Sequence, residues 1–356
     1  MALRFLEGFE EYTTTTGNAL GTEVVLMRSH SGYRWNYWYR GSDMELNGSL
    51  YRSPQSSPTA KSLYLRNSHL DLALPSVSEI FIGIAVHLNS PGTFLTLSST
   101  NSTSASLPTT GIRLRRHESS GFEVVAGNTG VNLAPTTSPC MPLNTWSYVE
   151  LYYKFGASGD IQVRIEGVEV LNLTGIDTRG GAASIQNLAL CSTSSAILYY
   201  FDDLYLCDAT GTVNNTFLGP IAVQTRMPTA DSAVAFTRNT GTSNFSCVNE
   251  IPHNGATSYV SSATAGSRDL YETADLSGTG LGPIAGIQCN VRGQALGSSA
   301  NLALTIESPK GAQIGATKTQ TSAAWIADFD IFEKQADGSD WTAADVNNTK
   351  IGFDSV

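Results

Sequence analysis

The sequence predicts an all-β protein, in which an N-terminal two-sheet sandwich is followed by a second, smaller β domain. Large apolar side chains recur at every second residue over 149–155 and again over 161–165, which is the period of a half-buried β-strand. Residues 156–160 and the pair Glu166 and Gly167 supply turns that make these ribbons antiparallel. No segment sustains the three- and four-residue spacing of a long amphipathic helix.

The first part of the chain contains many short strands separated by polar turns, the earliest at residues 23–28, as expected for a sandwich. Residues 208–215 are rich in Gly, Asn, Asp and Thr, and we place a domain boundary in this turn-forming stretch. Residues 1–208 then form the sandwich and residues 209–356 a C-terminal β domain. Downstream strands are predicted at residues 221–225, 258–260, 284–291, 301–308 and 324–332. Asp340 or Thr342 is expected to cap one helical turn near the C-terminus.

Composition excludes several function classes. The 356-residue chain carries a formal net charge of −10, whereas nucleic-acid binding needs clustered Lys and Arg. No apolar run reaches the roughly 18 residues of a membrane span, so we expect no membrane insertion. The first ten residues hold no apolar stretch of signal-peptide length, and the five cysteines form no CxxC pair, so we expect reduced thiols in a cytosolically made protein.

Three sequence blocks resemble the laminin-G/concanavalin A-like jelly roll in their order and spacing. They are WSYVEL at 146–151, GDIQVRIEG at 159–167 and FDDLY at 201–205. A further tract, NNTFLGPIAVQT at 214–225 followed by PTAD at 228–231, is similar to structural proteins of tailed bacteriophages. The chain thus resembles a tailed-bacteriophage structural protein with a jelly-roll domain.

The resemblance implies a non-enzymatic virion structural protein, made in the host cytoplasm. A tail-associated globular fibre or appendage subunit that contacts a host cell-surface glycan is the leading expectation. Its partners would be other virion proteins and further copies of itself in a homo-oligomer, with the C-terminal domain as the docking unit. A capsid decoration protein and a free lectin-like carbohydrate-binding module are the alternatives. A glycoside hydrolase or lyase is a third hypothesis, which a paired-carboxylate motif would favour.

The residues themselves also predict no enzyme. A glycosidase needs two carboxylates at a defined separation across a cleft, and glucanases that share the jelly roll carry a Glu-x-Asp-x-x-Glu arrangement, which this sequence lacks. Glu150 lies between Val149 and Leu151, on the strand face opposite the apolar one, and is expected to face solvent. The sequence also lacks the Gly-x-Ser-x-Gly nucleophile elbow.

The segment YRWNYWYR at residues 33–40 is the most aromatic in the chain. Strict alternation would place Trp35 and Tyr37 on one face and Trp38 on the other. Aromatic rings stack on sugar rings, so Trp35, Tyr37 and Trp38 are candidate carbohydrate-binding residues. The alternative is that this aromatic face fills the sandwich core.

Asp202 and Asp203 are candidate ligands for calcium, because carboxylate oxygens are hard ligands and the jelly rolls that this chain resembles use loop carboxylates in this way. The alternative is that the two residues begin the last strand and accept hydrogen bonds from a neighbouring loop. No other cofactor is predicted.

Overall fold

The all-β prediction is confirmed in the computed structural model of the chain, in which antiparallel strands make up most of the residues described. The structure describes residues 2–10, 12, 34–47, 49–52, 61–100, 107–118, 121–127, 129–130, 132–135, 140–250, 257–278, 281–295, 297, 299–321 and 325–356. The strand predicted at 23–28 lies outside these ranges.

The first unit is a large curled antiparallel sheet with a jelly-roll-like arrangement. Its strands are β1 (Leu3–Glu7), β2 (Arg34–Asn47), β3 (Ser62–Val77), β4 (Glu79–Leu88), β5 (Gly92–Ser98), β6 (Ile112–Arg116), β7 (Phe122–Ala126), β8 (Asn132–Pro135), β9 (Trp146–Lys154), β10 (Gly159–Ile165), β11 (Val168–Ile176), β12 (Ile185–Ser192) and β13 (Tyr199–Cys207). The hydrogen-bonded order is β11-β10-β9-β4-β13-β3-β12-β5-β6-β7-β8, with β1 on β13 and β2 on β3.

The long strand β3 joins two halves of this sheet. Its first part pairs with β13, and its second part pairs with β12. We call the strands from β11 to β13 the β9 half and the strands from β12 to β8 the β12 half. Each half has an apolar inner face, which holds Val149 and Leu151 in the β9 half and Leu188 and Leu190 in the β12 half, all at most 1% exposed.

The local predictions for the meander are confirmed at β10 and at its hairpin turn, whereas residues 147–151 of β9 are buried on both faces. Strand β10 alternates buried and partly buried residues along its whole length, as the period-two pattern requires. Glu166 and Gly167 both have positive φ, 51° and 77°, which is the conformation of a two-residue hairpin turn that matches strand twist.

Residues 209–223 run over the outer face of the β9 half instead of starting the second unit. The two compact units divide between Val223 and Gln224, fifteen residues after the boundary placed from the sequence. No strand forms at 221–225, because the Ile221 carbonyl accepts from Arg52 and the Val223 N–H donates to Asp203 (2.7 Å), so neither group is available to a strand partner. We call residues 209–223 the covering segment.

The second unit is also built from strands. They are β14 (Pro228–Ala233), β15 (Thr237–Arg238), β16 (Val260–Ser261), β17 (Arg268–Thr273), β18 (Ile287–Gly293), β19 (Ser299–Ser308), β20 (Gly311–Thr321), β21 (Ile326–Phe332) and β22 (Lys350–Ser355), with a 3-10 turn at Phe245–Cys247 and a short helix α1 at Ala343–Asn347. A five-stranded sheet has the order β14-β17-β22-β19-β20, and two two-stranded ribbons pair β15 with β16 and β18 with β21.

An apolar cluster around Trp341 holds the second unit together. Leu304 and Ile306 of β19, Phe332 of β21 and Val346 of α1 are each at most 6% exposed in it. Thr342 caps α1 by accepting the Asp345 N–H at 3.1 Å, which confirms the predicted helical turn. Over the described ranges, the longest helices fall well short of the length and apolarity that crossing a membrane demands.

Candidate functional site in the first unit

The outer face of the β12 half carries a row of residues from four adjacent strands. The register pairs Ala189 of β12 with Asp71 of β3 on one side and with Thr96 of β5 on the other, and Thr96 with Arg113 of β6. Directly paired residues of an antiparallel sheet project from the same face. Because the leucines flanking Ala189 point into the core, this row lies on the opposite, outer face.

A second polar residue stands beside the row. Asn187 lies two positions before Ala189 on β12, so it projects from the same face about 7 Å away along the strand. Asp71 and Thr96 flank Ala189 at the strand spacing of about 5 Å. The small Ala189 side chain therefore lies among polar side chains, and Ala189, Asp71, Thr96 and Asn187 are each at most 1% exposed. We call Asp71, Thr96, Arg113 and Asn187 the polar cluster.

Several polar atoms of this cluster are buried without a hydrogen-bond partner among the described residues. Asn187 and Thr96 are each 1% exposed. Among the described residues, neither amide atom of Asn187 nor the Thr96 hydroxyl has a hydrogen-bond partner. A buried amide or hydroxyl without a partner costs on the order of 1–3 kcal/mol. Such groups are uncommon in folded proteins and point to a missing ligand or bound water.

Charged groups stand at both ends of the row. Asp71 is fully buried, and one of its oxygens lies 3.2 Å from Nδ1 of His69, which occupies the same face of β3. Arg113 donates to the Pro108 carbonyl at 2.8 Å, while its Nε has no partner within the part of the chain that the structure describes. Burial raises the pKa of the nearby Cys191 thiol, and the charge of Asp71 raises it further, so this cysteine stays protonated.

The donor and acceptor set suits a ligand rich in hydroxyl groups. The Asn187 amide offers two hydrogen-bond donors and one acceptor, the Thr96 hydroxyl both donates and accepts, and the Arg113 guanidinium donates. Sequence reasoning missed this cluster, because its members come from strands far apart in the chain. The available signal was β12 itself, where leucines alternate with small or polar residues in IQNLALCS.

The predicted carbohydrate residue Trp35 is a core residue, so its assignment to a sugar site is wrong. It is 0% exposed, packs edge-on to Phe5 at a ring separation of 6.1 Å and also contacts Phe9. Its indole N–H donates to Glu7 at 3.3 Å. Trp35 thus packs among core side chains, as the alternative for this segment holds.

The predicted alternation of the aromatic segment is interrupted after Trp35. A register shift between Trp35 and Tyr37 places Trp35 opposite Leu72, Tyr37 opposite Asp71 and Trp38 opposite Leu70. One extra residue in a bulge reverses the side-chain parity of everything after it. The register therefore puts Tyr37 at the position next to Asp71 of the polar cluster, while the side chains of Tyr37 and Trp38 lie outside the described residues.

The Asp202 and Asp203 carboxylates accept hydrogen bonds from the protein. Asp202 accepts the N–H groups of Arg52 (3.1 Å) and Asp203 (2.8 Å), and Asp203 accepts from the Arg52 guanidinium (3.2 Å) and the Val223 N–H. Burial, reinforced by the neighbouring Asp203, raises the pKa of Asp202. Within the described ranges, no three His, Cys, Asp or Glu side chains come together as a metal site. The two residues thus bind a neighbouring segment, as the alternative holds, but they lie within β13 at a register shift and do not begin the strand.

Glu150 does not face solvent, because the covering segment lies over it. It is 0% exposed and accepts from the Tyr205 hydroxyl at 2.6 Å and from the Gly219 N–H at 2.8 Å. The Tyr205 hydroxyl in turn accepts the Leu218 N–H at 3.1 Å. The prediction failed since alternation identifies the outer face of a strand but not what covers that face.

Gly83 makes room for the Tyr205 ring in this network, since a Cβ at residue 83 would collide with it. We expect Gly83→Ala to displace the ring and to lower the free energy of unfolding by about 1–3 kcal/mol, the usual range for overpacking. Urea unfolding followed by tryptophan fluorescence measures this. Gly156→Ala is the control, because a Cβ there meets only ordinary contacts at 3.7 Å. Equal midpoints for the two variants would show that the ring has room to move.

No family model and no curated protein matches the sequence. Among solved structures, the chain is similar to the alginate lyase Aly36B (14% identity, TM-score 0.37, covering 57% of this chain and 95% of that one). It is also similar to an endo-beta-1,4-glucuronan lyase from the fungus Trichoderma reesei (9%, TM-score 0.35, 51% and 93%). A third similar structure is the ligand binding domain of botulinum neurotoxin serotype D in complex with N-acetylneuraminic acid (11%, TM-score 0.33, 50% and 43%).

These matches correct one expectation. The sequence predicts a protein without enzymatic activity, whereas several of the similar structures are polysaccharide lyases. The prediction that the chain is not an enzyme is therefore withdrawn. At these identities the likeness concerns the fold alone.

Proposed function

We propose that this chain is a carbohydrate-binding protein and that the polar cluster of the first unit contacts the sugar. The observation that carries the proposal is the pair of side chains Asn187 and Thr96, which lie beside Ala189 and are buried with polar atoms that have no partner among the described residues. Sugar hydroxyls both donate and accept, so they complement an amide and a hydroxyl. Arg113 adds a donor that also suits a sugar carboxylate.

We further propose that the protein works as part of a bacteriophage particle, as a tail-associated appendage subunit that contacts a host glycan. The resemblance of residues 214–231 to phage structural proteins supports this setting. Other virion proteins and further copies of the chain are then its partners. Capsid decoration is the alternative location.

The binding proposal is tested with Asn187→Leu, which keeps the approximate volume and removes the amide. Because the native amide has no protein partner in the described structure, we expect unfolding stability to be unchanged or higher. Binding to bacterial surface polysaccharides, measured on an array and then by calorimetry, is expected to weaken by about tenfold or more. Asn172→Leu on the exposed strand β11 is the matched control.

Two outcomes would overturn the binding proposal. One is that the wild-type chain binds no polysaccharide on the array. The other is that Asn187→Leu destabilises the protein while leaving sugar affinity unchanged, since that result assigns the amide a purely structural role. The virion setting is tested separately by cryo-electron microscopy of purified particles of the source phage, in which a ring of copies at the tail supports an appendage and absence from particles contradicts it.

A further inference from the structure

A row of aromatic side chains crosses the outer face of the β9 half. The register pairs His87 of β4 with Trp146 of β9 and with Tyr200 of β13, and Tyr200 with Tyr64 of β3. The four residues are thus direct cross-strand neighbours on adjacent strands. We call them the aromatic row.

The rings contact one another along the whole row. The His87 ring lies 5.6 Å from the Trp146 ring and 5.6 Å from the Tyr200 ring, with edge-to-face geometry, and the Tyr64 and Tyr200 rings are 5.1 Å apart. At a strand spacing of about 4.8 Å, the row is about 14 Å long. Each ring holds its neighbour in place, so the surface is preorganised.

The aromatic row is not part of the apolar core. All four residues are partly exposed, whereas Val86 and Phe201, which precede or follow them in β4 and β13, are completely buried. Alternation along each strand therefore places the rings on the outer face. A contiguous row of large rings on the outer face of a sheet is unusual, since hydrophobic surface residues normally occur singly.

The chemistry of the aromatic row suits a neutral sugar chain. The row consists of an imidazole, an indole and two phenol rings, and each of these combines an apolar face with a polar atom. The Trp146 indole N–H has no acceptor among the described residues. Burial lowers the pKa of His87, so this ring is neutral near pH 7. Glu45 extends the row opposite Tyr64, and its negative charge disfavours acidic sugars.

We propose that the aromatic row is a second carbohydrate-binding site, one that binds a neutral oligosaccharide laid across strands β9, β4, β13 and β3. It shares no residue with the polar cluster, which lies in the other half of the sheet. The two sites would let one domain hold a polysaccharide at two points, which raises the effective affinity without new contacts at either site. The proposal stands on the row's own geometry and does not depend on the polar cluster.

The test uses the full chain and neutral gluco-, galacto- and manno-oligosaccharides, titrated by calorimetry. Trp146→Ala is expected to weaken binding by about tenfold or more, whereas Trp146→Phe, which keeps an aromatic face, is expected to stay near the wild-type affinity. Urea unfolding of both variants establishes that each is folded. Val168→Ala, which truncates a 66% exposed side chain of β11 outside the row, is the matched control and is expected to bind these neutral oligosaccharides as the wild type does. Asn187→Leu is titrated alongside to report on the polar cluster.

The outcomes separate this proposal from the one for the polar cluster. If the wild-type chain binds none of the neutral oligosaccharides, or if folded Trp146→Ala binds them as tightly as the wild type, the aromatic row is not a sugar site. If Asn187→Leu loses the binding that Trp146→Ala retains, the polar cluster alone carries sugar recognition.

Discussion

Replacing Asp203 by alanine is expected to lower the free energy of unfolding of the first unit by about 3–5 kcal/mol, the range for removing one partner of a buried ion pair. The Asp203 side chain is 1% exposed, and it holds both the Arg52 guanidinium and the Val223 N–H. Its loss leaves a partly buried guanidinium without its carboxylate and frees one end of the covering segment. Asp203 also has a positive φ of 52°, which alanine tolerates less well than Asp.

Urea unfolding gives the size of this effect, and hydrogen exchange at Val223 shows whether the covering segment is released. Asp177→Ala is the control, since Asp177 forms the same kind of pair with Arg179 at 2.7 Å but with both side chains about half exposed. An exposed pair of this kind is screened by water, so little change is expected there. Matching midpoints for the two variants would contradict the structural role assigned to Asp203.

The stability of the second unit is expected to depend on Asp269 as strongly as that of the first unit depends on Asp203. This residue is 0% exposed, and its carboxylate accepts the N–H groups of Ala235 (2.7 Å) and Phe236 (2.8 Å), the Asn244 amide (2.7 Å) and the Tyr271 hydroxyl (2.8 Å). Asp269→Ala leaves these donors without an acceptor. Because each unsatisfied group costs roughly 1–3 kcal/mol, we expect the free energy of unfolding to fall by about 4 kcal/mol. The segment from residue 234 to residue 247 should become sensitive to protease.

Limited proteolysis and urea unfolding together check this expectation. Glu272→Ala on the same strand is the control, because its side chain is exposed. The stability of Asp269→Asn should lie between those of Asp269→Ala and Glu272→Ala, since the amide oxygen of Asn still accepts hydrogen bonds but its amide nitrogen does not. If Asp269→Ala resists protease as well as Glu272→Ala does, the hydrogen bonds at Asp269 do not hold the 234–247 segment.

Features governed by neighbouring residues were predictable from the sequence. The period-two burial of β10, the hairpin turn at Glu166 and Gly167 and the cap at Thr342 all appear where expected. Each depends on side-chain alternation, backbone conformation or a hydrogen bond within a few residues. Such interactions are present in the local sequence whatever the rest of the chain does.

Two of the errors concern which face a residue occupies and what covers that face. Glu150 was assigned to solvent and is buried, because a segment about seventy residues later covers it through Gly219 (2.8 Å). Trp35 was a candidate sugar-binding residue and instead fills the core, as the stated alternative holds, and the register shift after it moves Tyr37 to the position opposite Asp71. Neither a distant cover nor a register shift leaves a periodic trace in the local sequence.

By itself, the sequence determined the all-β class, the antiparallel meander and the helical cap, because these follow from local periodicity and turn chemistry. Only the tertiary structure decided which polar and aromatic side chains meet. Asp71, Thr96, Arg113 and Asn187 come from four strands, and so do the four rings of the aromatic row. Cross-strand register brings such residues together, and register depends on long-range pairing that no single strand encodes.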